Sequence, residues 1–144
     1  MTGEAFMAAL VDSIAPGGRV GHGLALPAAS LVGCDRNLAK ALADNRALQV
    51  LVDSIARQAG GTSAFTRSSA QERHALLEAV QSESPQAFTG LVALTLAHYY
   101  AQPQVLSALH WPARPPQPGG HELPAFDDSL LKPVLERGAI WRRC

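Results

Sequence analysis

The stretch SPQAFTGLVALTLAHYY, residues 84–100, decides the fold. Ser84-Pro85 opens a helix: serine suits the N-cap, and proline at the first helical position gives up only an N–H that a helix start leaves unpaired anyway. From Phe88 to Tyr100 apolar side chains fall on nearly every side (Phe88, Leu91, Val92, Leu94, Leu96, Tyr99), the pattern of a central, buried helix. Thr89, Thr95 and His98 interrupt the run, which is too short and too broken for a membrane span.

Other helices extend on both sides. Gln102-Pro103 starts a short one through Val105, Leu106 and Leu109. Upstream, Ser69-Ala70-Gln71-Glu72 spells a capping box, in which serine and glutamate satisfy reciprocal orphan amides, and it opens a helix carrying Leu76, Leu77 and Val80. Residues 4–15 form an amphipathic helix with Phe6, Leu10 and Ile14 on one face, widened by Met7 and Val11 and ended by Pro16-Gly17-Gly18. After a Gly-rich loop over 17–26, Pro27 suits the first position of a helix with Leu31, Leu38 and Leu42 on one side. Asp44 suits the N-cap of the stretch carrying Leu48, Leu51, Val52 and Ile55, which runs to Gly60-Gly61. The spacing fits either one bent helix or two. No segment alternates with period 2, so no strand is needed. The expected fold is all-α: a compact bundle of five to six helices with an extended proline-rich C-terminal arm.

The arm begins where composition changes. Residues 112–124 (PARPPQPGGHELP) hold half of the ten prolines and no helical period, so residues 1–111 read as a helical domain and 112–144 as an arm. A final apolar turn at Leu130, Leu131, Val134 and Leu135 closes near Gly138, with Trp141 beyond it. Six of the eight aromatic residues lie after residue 85, a density of anchors that a disordered tail lacks.

With 144 residues the chain is long enough for one domain that folds without staples. Twelve basic residues cancel twelve acidic ones, which argues against nucleic acid or anionic lipid as a partner held by charge. Charged residues make up only 17%, below the roughly 25% of an ordinary soluble domain, which fits equally a subunit that buries part of itself and a monomer with a polar but uncharged surface. Cys34 and Cys144 make no disulfide framework, and no zinc or haem motif contains them. The start Met1-Thr2-Gly3-Glu4 carries an acid where a secretory signal needs positive charge, so the expected compartment is the cytoplasm.

Catalytic chemistry is sparse. No two of His22, His74, His98, His110 and His121 share the spacing that places a metal pair on one helix face. His98, beside the two tyrosines, reads as a hydrogen-bonded core residue. Cys34 reads as a small buried residue rather than a reactive thiol. The Gly17–Gly23 loop has no preceding strand and no phosphate-binding lysine, so it reads as a connection. No catalytic or metal-binding residue is expected. The alternative is a small stand-alone enzyme using His98 or His110 as an acid–base group in an interhelical pocket.

Tyr99-Tyr100-Ala101-Gln102-Pro103-Gln104-Val105, then Leu109-His110-Trp111-Pro112, then Pro115-Pro116-Gln117-Pro118-Gly119-Gly120 resemble a family signature. The family is the small (gamma) subunit of gluconate 2-dehydrogenase and related FAD-dependent sugar or alcohol dehydrogenases of the glucose–methanol–choline type. The resemblance covers roughly residues 85–121. It implies a non-catalytic, chaperone-like subunit that binds no cofactor itself, with FAD in a larger partner subunit and often a cytochrome c subunit in the complex. Family members commonly carry a twin-arginine export signal. This chain begins without one, which leaves periplasmic placement to a removed signal or to one on the partner. Tyr99, Tyr100, Trp111, Pro115, Pro116, Pro118 and Trp141 are expected at or just beneath the interface, because aromatic anchors and pre-extended proline runs bind with little entropy loss. The alternative is that these residues fold back and seal the domain's own core, the two tyrosines above all, with the arm packed on the domain and not on a partner.

Overall fold

The computed structural model describes residues 3–19, 21–111, 125 and 127–137. It divides into two units, Met1–Ala113 and Arg114–Cys144. The first holds seven helices: α1 (Glu4–Ile14), α2 (Cys34–Ala43), α3 (Arg46–Gln58), α4 (Thr62–Arg67), α5 (Ala70–Glu83), α6 (Pro85–Tyr100) and α7 (Pro103–Ala108). The second holds a 3-10 turn at Asp128–Leu131 running into α8 (Lys132–Arg137), and Leu130, Leu131, Val134 and Leu135 are exposed there. The proline-rich arm over 112–124 lies outside the described residues.

The all-α expectation holds, with three corrections. First, α6 packs against five other helices, α1, α2, α3, α5 and α7, but it is not buried on every side, and α1 is the more deeply buried helix. Phe6, Met7, Ala9, Leu10 and Val11 are all buried, and α1 packs against α2, α4, α5 and α6. α6 buries only the stripe Leu91, Thr95 and Tyr99, with Phe88, Val92, Leu94 and Leu96 half-buried beside it. Second, a strand pair does exist. β1 (Gly18–Arg19) and β2 (Ala25–Leu26) are antiparallel, with Gly18 opposite Leu26 and Arg19 opposite Ala25. Two residues per strand are too few to show a period. Third, α4 is a helix beyond the expected six. Its Phe65 is fully buried and meets Phe6 edge-on, with ring centroids 5.1 Å apart at 63°, a favoured aromatic geometry.

Local signals account for most boundaries. At Ser69 the capping box is complete: its hydroxyl accepts from the Glu72 N–H, and its own N–H donates to the Glu72 carboxylate at 2.7 Å. The Ser69 hydroxyl also donates to that carboxylate at 2.8 Å, and the two donated bonds, the backbone one first, hold the Glu72 carboxyl below its usual range. α2 and α3 are separate helices, and Asn45, not Asp44, caps α3 by accepting from the Leu48 N–H. α3 ends in a Schellman motif: Gly60, at φ 79°, donates to Arg57 O and Gly61 to Ala56 O.

Pro27 does not open a helix. It precedes a 3-10 turn at Ser30–Val32, and α2 starts only after Gly33. Leu31 therefore faces solvent, while Leu38 and Leu42 join the core as expected. The connection from α1 folds back tightly. Ala29 donates to Ala15 O at 3.0 Å, and Asp12 accepts from both the Ser30 N–H (2.8 Å) and the Ser30 hydroxyl (2.7 Å). Gly17, at φ 71°, lies where a Cβ would come within 2.4 Å of the Ala28 backbone nitrogen.

Candidate partner-binding surface

The two adjacent tyrosines have different surroundings. Tyr99 continues the Leu91 and Thr95 stripe at four-residue spacing, so its ring is buried in the first unit's own core. Its hydroxyl donates to Pro27 O at 2.7 Å, tying the end of α6 to the loop before α2. Burial pushes the phenol above its ordinary pKa, with smaller contributions from Tyr100 and Cys34. Tyr100, one residue on, turns outward and is 50% exposed, its ring meeting Tyr99 edge-on at 5.3 Å.

Outward with Tyr100 point Gln86, Thr89, Gly90, Ala93 and Ala97. α6 is the longest described helix, at 16 residues, and contains no Asp, Glu, Lys or Arg. The other described helices of ten residues or more each carry at least two such residues. A surface helix ordinarily presents charged or strongly polar residues to water. The apolar-all-round pattern in the sequence thus corresponds to one face in the core and another, small and uncharged, left exposed.

Trp111 stands at the end of α7. Pro103 at the start of α7 and buried Val105 seat this short helix. It closes in a second Schellman motif: His110 donates to Ser107 O at 3.0 Å and Trp111 to Leu106 O at 2.8 Å. The left-handed position, Gly60 in α3, is filled here by His110 at φ 56°. The backbone of Trp111 is held by this turn while its indole stays 67% exposed. Pro115, Pro116, Pro118 and Trp141 lie outside the described residues, as does Cys144.

The histidine alternative gains little geometry. His98 is not the hydrogen-bonded core residue expected from the sequence: it is half-buried, and its Nε2 is buried without a hydrogen-bond partner. His110 is exposed and serves the turn. Neither lines any of five surface hollows on the first unit. Cys34 is buried as expected, and burial, then Asp35 and Asp12, push its thiol above the ordinary range. Among the described residues no group of His, Cys, Asp and Glu could hold a metal ion, and no helix is long and apolar enough to cross a membrane. Sequence reasoning missed the outer face of α6, although its signal, the absence of charge over a whole helix, was visible. Compared with family models, curated proteins and solved structures, the chain finds no match.

Proposed function

We propose that the chain is a non-catalytic small subunit that binds, stabilises and helps mature a larger FAD-dependent sugar or alcohol dehydrogenase subunit. The observation that carries the binding role is the uncharged outer face of α6, which ends at Tyr100. Small side chains let a partner approach closely, while Tyr100 and Trp111 supply large anchors at low entropy cost. The dehydrogenase class of the partner rests on the sequence resemblance over residues 85–121. FAD belongs to the partner in this reading; a cytochrome c subunit, which often joins complexes of the resembled family, is not required by it.

Ala97→Arg and Ala93→Arg test it. Both sites are exposed, so folding should change by no more than about 0.5 kcal/mol. An arginine in the middle of a close-packed interface would lose the flavin-containing partner on purification, with the melting temperature unchanged. Retention of that partner by both variants refutes the assignment of this face.

A further inference from the structure

Separate from α6's outer face, α1, α5 and α6 border two hollows that share Ser13 and His74 in their walls. The polar one, of about 410 Å³, is bounded by Asp12, Ser13, Arg73 and His74 beside the first turn of α5. The apolar one, of about 180 Å³, is walled by Ile14, Leu77, Phe88 and Val92, with Glu78 and Gln81 at its side.

Arg73 is the informative residue. One Nη donates to Ala9 O at 3.2 Å, but its Nε is buried with no acceptor. Among the described residues no carboxylate forms an ion pair with it. The carboxylates that line the two hollows have other partners: both Asp12 oxygens accept from Ser30, and Glu78 lies 3.3 Å from His74. A buried donor without a partner is costly, and a guanidinium fork matches a carboxylate in geometry and charge.

We propose that these hollows form one binding site for a small monocarboxylate with a short apolar tail. The carboxylate pairs with Arg73 and the tail lies against Phe88, Val92 and Leu77. This site does not depend on the subunit reading.

The test titrates octanoate into the isotopically labelled full chain by NMR and calorimetry, beside acetate (charge without tail) and octan-1-ol (tail without charge). The expected result is saturable one-to-one binding of octanoate, with shifts centred on Ser13, Arg73, His74 and Phe88. Octan-1-ol and acetate should each bind about tenfold or more weaker, as a charge-assisted contact and an apolar contact are separately lost. Arg73→Gln should weaken octanoate by a similar factor while melting normally. If that variant does not fold, the wild-type comparison of octanoate with octan-1-ol carries the test alone. Equal binding of octan-1-ol, non-saturable shifts, or binding of an acidic peptide there with none of octanoate overturns the proposal.

Discussion

Tyr99→Phe removes one oxygen and leaves the ring in place. The bond lost runs from a buried phenol to Pro27 O at 2.7 Å, and no other donor to that carbonyl is present among the described residues. Losing a hydrogen bond while orphaning its acceptor costs about 1–2 kcal/mol. For a domain between 100 and 150 residues, each kcal/mol corresponds to roughly 3–6 °C in melting temperature. Tyr99→Phe should therefore melt about 3–12 °C lower by circular dichroism, and Tyr100→Phe, whose hydroxyl is on an exposed side chain, should not move. The pH dependence gives a second readout. Because folding raises the Tyr99 pKa, the folded state holds that proton more tightly. The associated stability is complete below the phenol's unfolded value of 10.0 and is lost as pH rises through the folded value. Tyr99→Phe should flatten the alkaline fall. Equal melting of the two variants, or a larger loss at Tyr100, refutes the division of the pair into core and surface.

Three further outcomes follow from the same geometry. Gly17→Ala should destabilise severely, by about 3 kcal/mol or more, because a Cβ at φ 71° would meet rigid backbone at Ala28, Pro27 and Leu26; denaturant unfolding at wild-type midpoint contradicts this. His110→Gly should stabilise by about 0.5–1 kcal/mol, since φ 56° strains any residue with a Cβ, and an unchanged or lower midpoint removes that strain from the account. Cys34 should resist a thiol-specific reagent at pH 8 until the chain unfolds. Its folded pKa is raised, so its contribution to stability is complete below the unfolded value of 9.0 and fades as pH rises above it. Labelling of the folded protein at Cys34 at the rate of a free thiol would show that the thiol is accessible.

Signals that act within a few residues were legible in the sequence. The Ser69 capping box, the prolines opening α6 and α7, and the glycines closing α3 each act within one turn, and each stands where it was read. Signals that depend on tertiary placement were not. Pro27 has the chemistry of a helix start but lies in a loop whose carbonyl is held by Tyr99, seventy-two residues away. α4 is six residues long, too short to show a period, and is fixed by Phe65 against Phe6. The candidate site divides the same way. Tyr99 and Tyr100 were visible as a pair, but only packing assigns one inward and one outward. Arg73 carried no sequence signal, because its meaning lies in acceptors that the fold withholds from it.

The most direct test of the subunit role is native mass spectrometry of the tagged protein purified gently from its own host, with an absorption spectrum of the same sample. A stable complex with one larger chain, showing flavin absorbance and releasing FAD on denaturation, is the predicted result. A colourless monomer or homodimer as the sole species would contradict it.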